Sequence, residues 1–128
     1  MKIQKGFTII ELIVVIAIIA ILAAIVLVNV TQYISKGNGS AIKANLSTLM
    51  TNAAVQLDTA GTYVDLDVTA ASTAITAEHG TLVHFETATA FCAQSVLPAG
   101  NADTTWCVDS TGYKGTTSNC DTTNANCD

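Results

Sequence analysis

Phe7-Thr8-Ile9-Ile10-Glu11 leads into an unbroken apolar run from Leu12 to Val28, 17 residues in succession. Between Phe7 and Val28 only Thr8 and Glu11 are polar among 22 residues. As a helix at ~1.5 Å per residue this stretch spans ~33 Å, enough to cross the hydrocarbon core of a bilayer. Lys2 and Lys5 precede it, and the next basic residue is Lys36. The positive-inside rule then places the N-terminus in the cytoplasm and the bulk of the chain outside. A removable secretory signal fits poorly: the run exceeds the usual apolar core of such signals, and no Ala-x-Ala step follows it.

Glu11 is the anomaly in this segment. A carboxylate within a membrane span is costly, and chains keep one where it has a partner. The sequence around it offers none, except an amine made by cutting the chain. The stretch Lys5-Gly6-Phe7-Thr8-Ile9-Ile10-Glu11-Leu12 resembles the start of a type IV pilin or pseudopilin, and that resemblance implies a cut after Gly6, which gives Phe7 a cationic amine four residues before Glu11, on the same helix face. Between two copies stepped along an axis, Glu11 of one can meet the Phe7 amine of the other. In an apolar core only the register that pairs these charges avoids an unmatched ion, so the pair is a register device rather than a source of net stability. Leu12, Ile13, Ile16, Ile19 and Leu22 supply packing, and Ala17, Ala20 and Ala24 form a small-residue stripe that allows close helix approach.

Lys5-Gly6-Phe7-Thr8-Ile9-Ile10-Glu11-Leu12, running into Ile13-Val14-Val15-Ile16-Ala17-Ile18-Ile19, resembles the start of a type IV pilin or pseudopilin. The resemblance implies a leader of residues 1–6. It implies that prepilin peptidase cuts after Gly6 and N-methylates Phe7, and that Glu11 guides assembly. It covers residues 5 to about 30. Many relatives carry a proline near the position of Val28 and a glycine near that of Ala20; this chain has neither, and residues 20–30 read as a better continuous helix.

Lys36-Gly37-Asn38-Gly39-Ser40 predicts a kink or short break near 37–39, with Ser40 as the next N-cap. Ile42, Leu46, Leu49, Met50, Ala53 and Leu57 then share one helical face. The long helix is expected over residues 7–58, with a transmembrane and assembly half at 7–28 and an amphipathic half covered by the domain that follows. Asp58-Thr59-Ala60-Gly61-Thr62-Tyr63 ends it, and a similar Gly-x-Tyr follows this helix in pseudopilins and many short pilins.

Residues 59–128 form a 70-residue domain, small enough to need staples. All four cysteines lie there: Cys92, Cys107, Cys120 and Cys127. The topology puts them outside the cytoplasm, where disulfides persist. Strands are expected at Thr81–Glu86, Ala90–Leu97 and Thr104–Asp109. Three pairings of the cysteines exist. Pro98-Ala99-Gly100-Asn101 centres a hairpin near 99–100, which places Cys92 opposite Cys107 and leaves Cys120 and Cys127 to close a C-terminal loop. The fold class is α+β: a long N-terminal helix packed against a small antiparallel sheet.

Chemistry-bearing residues are few. His79 and His84 have no readable partner and are expected at the surface or a sheet edge. Asp109, Asp121 and Asp128 with Asn119 and Asn124 offer oxygen ligands of the kind calcium takes, but at no fixed spacing, and solvated loop acids are the default. No nucleophile–base pair, phosphate loop or metal-ligand cluster is evident, so neither enzyme activity nor a cofactor is expected. Five Lys and no Arg face 10 acidic residues, a net charge of −5 that argues against direct nucleic-acid binding. The 15 threonines after residue 58 suit exposed strands.

The expected function is a structural subunit of a type IV pilus-like filament. It is anchored in the cytoplasmic membrane as a precursor, and its partners are further copies of itself, prepilin peptidase and assembly machinery. A pseudopilin of a type II secretion system, forming a periplasmic fibre, is the near alternative. A single-pass anchor bearing a binding domain, never polymerised, is the distant one.

Overall fold

A computed structural model describes residues 6–101, 104–116, 119–123 and 125–127. The order is α1 (Ile9–Ala60), α2 (Thr69–Ala77), β1 (Thr81–Glu86), β2 (Phe91–Val96), β3 (Thr105–Asp109) and β4 (Lys114–Gly115). The chain divides into two compact units, one ending at Ile34 and one beginning at Ser35. The second half of α1 therefore belongs to the globular unit rather than preceding it.

α1 is a single helix of 52 residues. It starts at Ile9, two residues later than expected, because Thr8 caps it: the Leu12 amide donates to the Thr8 carbonyl, the first helical bond. It ends at Gly61, which sits at φ +72° while its amide donates to the Leu57 carbonyl at 2.9 Å. Only glycine takes that left-handed conformation without strain.

The expected break at 37–39 does not occur, and Ser40 is not an N-cap. Its hydroxyl donates instead to the Lys36 carbonyl one turn back, at 3.1 Å. Two glycines in one turn disfavour helix by about 1 kcal/mol each relative to alanine. Tertiary contact overrides that preference. Gly39 is buried, and a Cβ there would collide with the Asn101 side chain from the β2–β3 connection. Asn101 Nδ2 donates to the Ser35 carbonyl at 3.2 Å and to the Pro98 carbonyl at 2.6 Å, and the Ser35 hydroxyl donates to the Ala99 carbonyl. Gly39 is thus a seat for a loop, not a helix breaker.

From Ile42 onward the predicted face is the core. Ile42, Leu46, Leu49 and Ala53 are at most 1% exposed and pack with Phe91, Ala93 and Val108 of the sheet. Each of the larger three contributes about 1.5–3 kcal/mol by leaving water. Ile75 of α2 and Tyr63 close the same cluster, with the Tyr63 and Phe91 rings 5.1 Å apart. Leu57 lies at the margin, 37% exposed.

The sheet is antiparallel in the order β1-β2-β3-β4, and three strands lie within a residue of their expected bounds. Phe91, Ala93 and Val108 take the helix-facing side. Cys92 and Cys107 belong to a second buried cluster, with Cys120 and Ala125.

The disulfide pairing corrects the expected one. Cys92 bonds Cys120 and Cys107 bonds Cys127, with Cα–Cα distances of 5.7 and 5.9 Å. The β2–β3 register sets Cys92 against Asp109, and Cys107 against Gln94. The hairpin centre lies one residue further along the chain than expected, which moves every partner by two. Cys120 and Cys127 are bridged by backbone pairing, so both cysteines of this C-terminal segment reach the sheet together. Gln94 Oε1 accepts from the Cys120 amide at 2.8 Å, and Asp109 Oδ2 from the Cys127 amide at 3.1 Å.

Candidate functional site

The candidate site is the start of the chain. Gly6, Phe7 and Thr8 lie outside any helix or strand, and all three are exposed. The Gly6–Phe7 bond is therefore presented in non-helical backbone. A Cβ built on Gly6 would meet nothing within 4 Å, so this single chain gives no steric reason for glycine there.

Glu11 is not without a local partner, as the sequence reading had it. Its Oε2 accepts from the Thr8 amide at 2.9 Å and from the Thr8 hydroxyl at 2.6 Å. The Glu11 amide donates to Thr8 Oγ1 at 3.3 Å in return. This reciprocal arrangement is a capping box, and its signature Thr-x-x-Glu stands at residues 8–11. Thr8 is thus a capping residue that sequence reasoning missed, although the four-residue pattern was there to be read. The box ties the carboxylate to Thr8, the residue that follows Phe7. It supplies hydrogen bonds but no positive charge, so Glu11 remains a formal anion lacking a counter-ion within these contacts.

Beyond the box, every residue of α1 through Ile34 is exposed in the single chain. Ile10 is 74% exposed and Leu27 68%. The packing residues Leu12, Ile13, Ile16, Ile19 and Leu22 and the stripe of Ala17, Ala20 and Ala24 are all uncovered. By length and composition this part of α1 suffices to cross a membrane, and none of its apolar window is buried. A contiguous apolar surface of this size demands lipid or another protein.

The remaining candidates lie in the globular unit. His79 is exposed at a left-handed turn, φ +63°, and His84 lies on the edge strand β1, as expected. Of the oxygen set considered for calcium, Asp109, Asp121 and Asn119 lie among the described residues. Asp109 is 2% exposed, and its carboxylate is occupied by the chain itself. Its Oδ1 accepts from the Thr111 amide and hydroxyl and from the Tyr113 amide, and its Oδ2 from Cys127. Burial raises the pKa of this carboxyl, but those four bonds outweigh it and hold the value below the usual carboxylate range. Asp121 Oδ1 accepts from the Thr123 amide, and Asn119 is exposed. Asp128 and Asn124 lie outside the described residues. Among the described residues no group of three or more His, Cys, Asp or Glu could hold a metal ion.

Comparison with known families bears on the same segment. The family described as the prokaryotic N-terminal methylation motif matches residues 1–27. This is the prepilin cleavage motif of type IV pilins and pseudopilins, and it belongs to a structural rather than an enzymatic family. The motif supports a pilin-like or pseudopilin-like substrate in general, and implies processing by prepilin peptidase and pilus assembly machinery. Together with the apolar helix it fits a membrane-anchored precursor. No solved structure matches the chain.

Proposed function

We propose that this protein is the structural subunit of a type IV pilus-like filament. One observation carries the reading: exposed, non-helical backbone at Gly6 and Phe7 leads into a capping box that ties Glu11 to Thr8, followed by an apolar helix left uncovered through Ile34. After cutting behind Gly6, the Phe7 amine and Glu11 of neighbouring copies pair within the apolar bundle. Helix packing there is non-directional, and the charge pair selects the register. The disulfide-tied domain coats the outside. Each copy uses different patches above and below, so assembly continues as an open helix rather than closing into a ring. The precursor spans the cytoplasmic membrane with its N-terminus inside. The role is structural, without catalysis, resident metal or direct contact with nucleic acid.

Intact mass and N-terminal sequence, taken on protein from membranes and from sheared surface material, test this. The expected result is a chain that begins at N-methylated Phe7 in the sheared fraction. The same mature chain confined to the envelope would instead make it a pseudopilin. A chain beginning at Met1 in both fractions would leave a plain membrane anchor.

A further inference from the structure

The Lys36–Ser40 turn combines two facts that pull in opposite directions. Its sequence, Lys-Gly-Asn-Gly-Ser, is among the least helix-favouring that a chain offers short of proline. It is nonetheless helical, in the middle of a 52-residue helix. Ser40 adds to the weakness, since its hydroxyl competes for the Lys36 carbonyl.

The grip of the β2–β3 loop accounts for the helix and for only one of the two glycines. Gly39 is required, because the Asn101 side chain fills the place of a Cβ. Gly37 is not. It is exposed, its Cβ would meet nothing within 4 Å, and no left-handed φ is recorded for it. Alanine there would make a better helix without a clash. Among the described residues the grip includes Asn101 Nδ2 on the Ser35 carbonyl, and the Ser35 hydroxyl on the Ala99 carbonyl. It sits beside the boundary at which the globular unit begins.

We infer that the Lys36–Ser40 turn is a latched break in α1, helical while Asn101 holds it and free to open when that hold is released. The chain lacks proline and glycine between residues 20 and 30, and this turn is where its long helix yields first. Opening all five residues from helical to extended backbone lengthens the chain by about 9 Å. In a filament, under the reading proposed above, that is slack available under load. The latch itself is a property of one chain and stands whether or not the chain polymerises.

Amide hydrogen exchange on the full-length chain in detergent tests it. Asn101→Ala should speed exchange at the amides of Gly39 to Lys43 by about tenfold. The amides of β2 serve as the internal reference and should change far less. Adding Gly37→Ala to Asn101→Ala should then slow exchange in the turn by about fivefold. No acceleration in the turn would overturn the latch. So would an equal acceleration in β2, which would report general unfolding, or a failure of Gly37→Ala to reverse the effect.

Discussion

The two halves of α1 are built from the same kind of residue and meet opposite fates. Before Ser35 the helix is almost wholly apolar and wholly exposed; after it, a narrower apolar face is buried at Ile42, Leu46, Leu49 and Ala53. Ile16 is 58% exposed and Leu46 is not exposed at all. A helix that is apolar all round has no inside of its own, and must be buried by lipid or by other chains. One with a single apolar face is satisfied by its own domain. The first half therefore calls for lipid or other chains and the second is closed by its own domain, and substitutions should separate accordingly.

The largest expected effect is on association. Glu11→Ala leaves the Phe7 amine of a processed neighbour without its counter-ion, and a lone charge in an apolar bundle is strongly penalised. Filament yield in sheared fractions should fall by about a hundredfold or more. Membrane insertion and processing should persist, read by fractionation and intact mass. Normal fibres built only from this variant would sink the register argument.

Next comes the fold. Leu46→Ala opens a cavity between α1 and the sheet and should lower the stability of the globular unit by about 2–5 kcal/mol. Denaturant melts followed through Trp106 fluorescence would measure it. Ile16→Ala removes a similar side chain from the uncovered half and should leave that melt within about 0.5 kcal/mol. Equal losses from the two would erase the division between the halves.

That division also governs what the sequence revealed. The apolar run, the buried face from Ile42 to Ala53 and the strands β1 to β3 are periodic patterns, and each was legible because the residues that carry it are neighbours in sequence. Gly39 was misread because its reason lies in Asn101, far along the chain. The disulfides were mispaired because a one-residue error in the hairpin centre moves Cys92 from Asp109 to Cys107. α2 went unread: in Thr69–Ala77 only Ile75 is buried, and a run of Ala and Thr carries little period. Thr8 was passed over as a polar interruption of an apolar run, although its spacing to Glu11 was local and readable.

A smaller effect tests the far side of the sheet. Asp109 ties the β3–β4 turn and the C-terminal segment together through four bonds. Its carboxyl is held below its ordinary range in the folded state, so the stability it adds is fully present above the unfolded pKa, ~3.9. That stability is lost as pH falls through the lower folded value. Asp109→Asn sets an amide N–H against donors that need an acceptor. At neutral pH the loss should be about 1–2 kcal/mol. The gap between the two proteins should close in acid, below the usual carboxylate range. A gap that persisted unchanged well below that range would mean that the charge of Asp109 adds nothing.

The smallest effect returns to the first half and sharpens what the capping box does. Thr8→Val keeps the shape of the side chain and removes the hydroxyl that both receives the Glu11 amide and donates to its carboxylate. In a single chain the first turn of α1 should open about fivefold more often, measured as amide exchange at Ile10 to Leu12. The globular unit, which begins at Ser35, should not respond. If the box merely starts the helix, filament yield should fall no further than this fraying implies. If it also aims Glu11 at the amine of a neighbour, yield should fall further than fraying alone accounts for, yet less than in Glu11→Ala, because the charge remains. A Thr8→Val chain that frays as expected but assembles at the normal rate would confine Thr8 to the helix start and leave register to Glu11 and Phe7 alone.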